Sequence, residues 1–426
     1  MRTLLLISFL TIITLHTSCK KETRSPNDLF SNNTELVVEP LEPDTSQFNQ
    51  SWLIWFTQPL DHNNPEKGTF KQRVWLSHTS NSAPMVMVTE GYAANKNYTT
   101  ELTKLIHSNQ IIVEHRYFSM SRPDSLDWQY LSVEQAANDH HKIIQFFKQL
   151  YTEKWLTTGI SKGGQTAIFH RAFFPNDVDI SVTYVAPINL SREDQRLFDF
   201  FKNVGTSEER KLIKEFQKTI LTKREKILPL FEKYAKLKGY TFRMGIDKAF
   251  DLVVLEYPFS FWQWGSKISD IPSASSTNEE LFDHLRKGSD IGYVSDQDWE
   301  NIKPFFYQAY KELGYYAYTP GDLKPLLKGF KKDTISSSIF APGGDTLQYN
   351  NKTMQWVMQE LIKNNPKMIA IVGENDPWGA TSINNDKLTN TIKVVMPKGS
   401  HTTRINTLPP LTRDKVISTL NEWLEL

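Results

Sequence analysis

The sequence predicts an α/β protein, a mostly parallel sheet covered by helices and interrupted by a large helical insertion. Three observations carry that expectation. Short apolar strand-like runs alternate with amphipathic helical stretches from residue 51 to 188, and again from 363 to 426. One such run, KWLTTGIS (154–161), passes through a glycine-bounded turn straight into helix-forming GGQTAIFHRAFF. Between 189 and 362 the texture changes to long charged amphipathic segments such as SEERKLIKEFQKTILTKREKILPLFEKYAKLKG, followed by an aromatic cluster. The chain of 426 residues is long enough for two or three units, or for one large domain carrying an insertion.

Composition excludes several classes. Lys+Arg is 49 and Asp+Glu is 48, so the net charge of +1 leaves no strongly basic surface for nucleic acid. Hydrophobic content of 39% supports a sizeable core, which excludes disorder as a global description. A single cysteine rules out an intramolecular disulfide and a thiolate-rich metal site.

That cysteine is Cys19. Arg2 and the apolar run LLLISFLTII (4–13) read as a secretory signal over 1–18, too short to span a bilayer. Leu15, Thr17, Ser18 and Cys19 resemble a bacterial lipobox, with His16 a departure at the minus-three position. Lipid attachment at Cys19 and export to the cell envelope are therefore expected, and simple secretion is the alternative. Residues 19–50, rich in Ser, Asn, Pro and Glu, read as a flexible tether.

The folded part opens with paired strands at 52–58 and 69–79, the second with Val74, Leu76 and His78 on one face and Trp75 and Ser77 on the other. Strands follow at 84–90 and 111–118. Ser132 with Gln135 predicts a capping box opening a helix whose apolar face carries Ala136, Ile143, Phe146, Phe147 and Leu150. A strand at 154–161, a helix at 163–174 and a strand at 179–188 complete the first core part. The second core part (363–426) has strand-like KMIAIV and TIKVVM, then a helix with Val416, Leu420, Trp423 and Leu424 on its inner face.

The chemistry concentrates at Gly159-Ile160-Ser161-Lys162-Gly163, a G-x-S-x-G string between strand and helix. A sharp turn there lifts Ser161 Oγ clear of the sheet, and the helix N-terminus offers N–H groups, that of Lys162 first, to an oxyanion. A glycine-rich connector with an incidental serine is the bland reading. Serine needs a base, and the base an orienting carboxylate, in the chain order Ser, acid, His. His401, in a loop after the last strand, is the candidate base, whereas His170 lies within the following helix and His284 within the insertion. Asp376 stands 25 residues before His401 in GENDPW, with Glu374 and Asp345 as weaker candidates for the acid. Gly91 or Tyr92, after the strand at 84–90, is placed to give a second oxyanion N–H. Asp139, His140 and His141 look like metal ligands, but adjacent helical residues diverge by about 100°. No metal and no cofactor is expected, and a solvated helix face is the reading preferred for them. Glu114-His115-Arg116-Tyr117 is either an ion-pair network or part of a substrate cleft.

These residues together resemble a known family. FTQPLDHNNP with FKQR, EHRYF with SRP, LSVEQAANDHH, GISKGG, EYPFSFWQW and GENDPW are similar to the bacterial secreted serine tripeptidyl aminopeptidases, distant relatives of lysosomal prolyl carboxypeptidase and dipeptidyl-peptidase. The resemblance covers about 50 to 400. It implies an α/β-hydrolase core with a helical cap, a Ser161–Asp376–His401 triad and release of short peptides from free N-termini. A buried carboxylate would hold the substrate's cationic amine, and Glu90, Glu114 and Glu256 are candidates. Trp262 and the aromatic residues around it could wall the cleft, or simply pack the helical core. An esterase or lipase on the same triad, a prolyl-type dipeptidyl-peptidase or carboxypeptidase, and a non-catalytic envelope binding protein are the alternatives.

Overall fold

The computed structural model describes residues 25–425 except 32 and 34, with Asp345 described by its backbone alone. Cys19 and the signal segment lie outside the described residues. Among the described residues, eleven strands occur in chain order: β1 (Val37–Leu41), β2 (Gln50–Pro59), β3 (Thr69–His78), β4 (Met85–Thr89), β5 (Asn109–Val113), β6 (Trp155–Ile160), β7 (Ile180–Tyr184), β8 (Ala317–Tyr318), β9 (Ile335–Ser336), β10 (Met368–Gly373) and β11 (Thr391–Met396). Nine form one sheet in the order β1-β2-β3-β5-β4-β6-β7-β10-β11. The pairs from β1 to β5 along one side are antiparallel, and every pair from β5–β4 onward is parallel. This is an α/β-hydrolase core with an added edge strand.

The strand order places the site. From β4 the chain steps outward to β5, then returns past β4 to add β6 on the other side. Loops leaving the carboxyl ends of β4 and β6 therefore diverge and leave a crevice, the topological switch point where open α/β sheets bind ligands.

Alternation along the strands fills two layers. Val86 and Val88 of β4 join Ile112, Leu156, Ile180 and Ile371 beneath the helices Glu101–Ile106 and Pro410–Leu424. Met85 and Met87 face the other way, with Ile111, Val113 and the helix Val133–Phe147. Val74 and Leu76 lie in that second layer and Trp75 in the first, as the period of two requires.

Several expectations need correction. The segment 19–50 is not wholly a tether. Leu29 and Phe30, from the short helix Pro26–Ser31, are buried against Trp52, and β1 pairs with β2 along its length. Alternation in ELVVEPL suits a half-buried edge strand, a signal masked by the surrounding polar residues. β5 stops at Val113 instead of continuing to 118, because the chain turns at Tyr117 (φ +71°) to carry Glu114 and Arg116 to charged partners. β7 ends at Tyr184, where Val185 takes φ +46°. Ser132 does cap its helix, accepting from the Gln135 N–H, but the Gln135 side chain instead bonds Asp61 Oδ1 at 2.7 Å. The helix Lys352–Asn364 packs through Met354, Val357 and Leu361 onto Ile168 and Phe169 of the core, so the insertion ends before it and not at 362.

The cap is built from the helices Gln195–Asn203, Ser207–Thr222, Arg224–Lys238, Ile246–Trp264, Asn278–Gly288 and Asp296–Gln308. Full capping boxes start two of them, Thr206 with Glu209 and Thr277 with Glu280. Ile246–Trp264 is buried almost all round and forms the axis of the cap core, with Phe250, Val253, Val254, Tyr257 and Phe261 packed on its neighbours. Phe118 and Trp378 of the core domain belong to the same apolar cluster, which ties cap and core together.

Candidate active site

Ser161 sits between β6 and the helix Lys162–Phe173 at φ +56°, ψ −124°. A non-glycine residue there is strained, and the surroundings enforce it. Gly159 lies against the Gly163 backbone with no space for a Cβ, so strand and helix can meet at this sharp angle. Ser161 does not use its hydroxyl to cap the helix, which leaves the group available. Among the described residues, the backbone N–H groups of Lys162 and Tyr92 have no hydrogen-bond partner.

Asp376 and His401 are brought together from loops after β10 and β11. His401 Nδ1 bonds Asp376 Oδ2 at 2.8 Å, and both side chains are buried. Asp376 caps the turn Pro377–Ala380, with Oδ1 accepting from the Trp378 N–H at 3.2 Å. The two loops are tied to each other, since the Asn375 N–H donates to Gly399 O at 2.8 Å. His401's own N–H donates to Gln263 O of the cap at 2.8 Å. Glu374 is spent differently, its Oε2 accepting from the Lys398 N–H at 2.8 Å. The Asp345 side chain lies outside the described atoms.

Ser161, Lys162 and Tyr92 line a cavity of about 440 Å³ together with Glu256, Ser260, Trp264, Asp290, Tyr316 and Trp378. Trp264 also sets its ring edge-on to the His401 imidazole, centroids 5.6 Å apart, so it joins the histidine to the cavity wall. Glu256 Oε2 accepts from the Tyr316 hydroxyl at 2.8 Å and the Tyr318 hydroxyl at 2.7 Å, while Ser260 Oγ donates more weakly to Oε1 at 3.3 Å. Burial pushes the Glu256 carboxyl up to about 7, opposed by these hydroxyl bonds. A second carboxyl, that of the exposed Asp290, also lines the cavity.

The remaining sequence candidates fall elsewhere. Glu114 is fully buried and saturated, accepting from Arg73 Nε, Ala94 N, Ser121 N and Ser121 Oγ, so it organises the turn and does not line the cavity. Glu90 accepts from Tyr98 OH at 2.6 Å, also outside the cavity. Trp262 faces an adjoining cap cavity of about 370 Å³ that shares Tyr316 with the first. Trp264, two residues on, lines the Ser161 cavity instead, because side chains two apart on a helix point about 200° apart. Gly91 has its carbonyl bonded by Lys162 Nζ at 2.6 Å. His284 pairs with Tyr257 OH at 2.7 Å, and His170 with Asp177 at 3.1 Å.

Asp139-His140-His141 is not a solvated face. Asp139 is buried against Arg116, at 2.7 Å, and His62, while His141 bonds Asp177 at 2.7 Å. His140 is buried beside His170, and its imidazole is pushed down to about 3. Among the described residues, no group of three or more His, Cys, Asp or Glu side chains is placed to hold a metal ion. Arg116 with Asp139, and Arg73 with Glu114, make the EHRYF stretch an ion-pair network. Trp264 belongs to the aromatic run that the sequence offered as a cleft wall, whereas Asp290, Tyr316 and Tyr318 were not among the candidates. The alternation in GYYAY (314–318) is the one signal that could have pointed to the tyrosines.

A serine on a strained turn, a buried His–Asp pair and unpaired N–H groups can carry acyl transfer. The PS-10 peptidase S37 family profile matches residues 38–425. The chain belongs to this peptidase family. It is 33% identical over 382 residues to the prolyl tri/tetrapeptidyl aminopeptidase of Streptomyces mobaraensis, covering 87% of this chain and 79% of that protein. It is 34% identical over 122 residues to serine protease vicPb of Bipolaris victoriae, covering 24% of this chain and 23% of that one. Among solved structures, proline iminopeptidase of Mycobacterium smegmatis is similar at TM-score 0.44 and 13% identity, over 87% of this chain and 98% of that chain. By its family and its Streptomyces relative, the S37 member described here is a serine peptidase.

Proposed function

We propose that this serine peptidase is an exopeptidase of the cell envelope that releases short peptides, tripeptides foremost, from free N-termini. Ser161 Oγ attacks the scissile carbonyl carbon and its proton passes to His401 Nε2. The His401 imidazolium, oriented and stabilised by Asp376, then gives that proton to the departing amine. Water hydrolyses the ester left on Ser161 and regenerates the hydroxyl. The N–H groups of Lys162 and Tyr92 hold the oxyanion in both steps.

The single observation that carries amino-end recognition is Glu256, a buried carboxyl opening into the cavity that Ser161 lines. A free α-amino group is cationic near neutral pH, and pairing with a carboxylate is strong in a desolvated site. Two tyrosine hydroxyls hold Glu256 in place, and Asp290 adds negative charge nearby. A lipid-cleaving trough would instead be apolar throughout. The Streptomyces relative, named a prolyl tri/tetrapeptidyl aminopeptidase, supports the same substrate class. Export and a lipid anchor on Cys19 rest on the lipobox-like sequence, and Cys19→Ser should move the protein from the membrane fraction to the soluble one.

The test uses one long peptide with a free or an acetylated N-terminus, its products read by mass spectrometry. Stepwise loss of short N-terminal peptides from the free form alone is expected. Equal cleavage of both forms, or release from the carboxyl end, would refute the reading.

A further inference from the structure

We infer that Lys162 is a positioning residue whose ammonium orients the Gly91–Tyr92 peptide so that the Tyr92 N–H faces the cavity as an oxyanion donor. The inference rests on the acyl-transfer reading above and assigns to this side chain a role that the triad leaves unused.

Lys162 immediately follows the nucleophile, yet its side chain turns inward and is only 3% exposed. Nζ donates to Gly91 O at 2.6 Å. Aromatic faces flank the ammonium, Phe118 at 5.2 Å and Tyr92 at 5.6 Å. Burial pushes the Lys162 amine down to about 7, opposed by the charge of Glu312, from the cap turn Ala309–Leu313, whose own Oε1 accepts from the Val133 N–H at 2.7 Å. Burying an ammonium is costly unless its bonds recover the loss, so the bond to Gly91 dominates the local energetics.

That bond has a geometric consequence. In a trans peptide the C=O and N–H point in opposite directions, and no described peptide bond is cis. Drawing Gly91 O toward Nζ turns the Tyr92 N–H away from the ammonium. Tyr92 is held on its other side as well, its carbonyl accepting from the His115 N–H at 3.2 Å. Among the described residues the Tyr92 N–H has no hydrogen-bond partner, as is also true of the Ala93 N–H that follows, and Tyr92 lines the cavity with Ser161. Gly91 cannot carry a side chain here, because a Cβ would lie 2.6 Å from the Lys162 carbonyl carbon. The lysine thus links nucleophile turn and oxyanion turn.

The experiment compares wild type with Lys162→Met. Loss of a positioned oxyanion donor lowers kcat by about 100-fold to 1,000-fold. KM and the affinity for a product tripeptide should stay within about threefold, while affinity for a peptidyl aldehyde, which forms a tetrahedral adduct, falls in parallel with kcat. A kcat within threefold of wild type overturns the inference. So does an equal loss of product affinity, which would mark general damage to the cavity. Lys162→Gln keeps an N–H donor and should retain kcat within about tenfold, and it replaces the Met variant if that one does not fold. A kcat for Lys162→Gln as low as that expected for Lys162→Met also overturns it. Ser161→Ala run alongside separates the two levels, since turnover surviving there would refute the acyl-transfer reading itself.

Discussion

The core and the cap place functional groups by different means. In the core, Ser161, Asp376 and His401 sit on tight turns at strand ends, where backbone strain and loop-to-loop hydrogen bonds leave each side chain little freedom. In the cap, Glu256 projects from the middle of a buried helix and is held by hydroxyls from the β8 region. The first arrangement suits bond breaking, which needs atoms placed within fractions of an ångström. The second suits selection, because a helix face and its aromatic packing can change the cavity without disturbing the reacting groups. On the proposed function, the division assigns reaction class to the core and substrate boundaries to the cap.

The sharpest way to break that division is Ser161→Ala, expected to lower turnover of every substrate by about 10⁴-fold or more with the thermal transition unmoved. Steady-state kinetics on blocked and free peptides, with calorimetry, would check it. Stability offers the next contrast. Asp139→Asn leaves Arg116 buried without its countercharge and should cost about 3–5 kcal/mol. Phe261→Ala empties the cap core and should cost about the same, 3–5 kcal/mol. Both should unfold in one denaturant transition, since Phe118 and Trp378 join the cap cluster. Two separated transitions would show that the regions are more independent than their packing indicates.

Glu256→Gln sharpens the comparison on the cap side. It should lower kcat/KM for free-amine peptides by about 100-fold while changing a small acyl ester by under about threefold. For wild type, kcat/KM on free-amine peptides should fall as pH drops through about 7, because protonation removes the carboxylate charge that pairs with the amine. In the Gln variant, free-amine peptides should instead follow the same pH–rate profile as a small acyl ester, as paired profiles would show. The smallest effect belongs to the exposed cap pair Lys214–Asp322, where Lys214→Ala should change stability by less than about 1 kcal/mol.

Legibility followed the same boundary. The parallel core was readable because its strands and helices carry strong local periodicity, and the G-x-S-x-G turn announces its own shape. Asp376 and His401 could be placed by chain order and loop position alone. The cap resisted. Glu256 was one of three acidic candidates, and Glu90 and Glu114 were indistinguishable from it until Tyr98, Arg73 and Ser121 were seen to occupy them. Trp262 and Trp264 differ by two positions in one aromatic run, yet they face different cavities.

From sequence alone come the fold class, the candidates for a nucleophile and its two partners, and the existence of a helical insertion, because each depends on contacts between neighbours in the chain or on a fixed order of elements. Tertiary structure alone decided that Pro26–Ser31 joins the core and β1 the sheet, that Asp139 is buried against Arg116, that Lys162 turns inward to Gly91, and that Glu256 rather than Glu114 opens into the cavity. The physical reason is that a charged side chain's role is set by which groups desolvate and pair with it. Those groups lie tens to hundreds of positions away, where no local pattern records them.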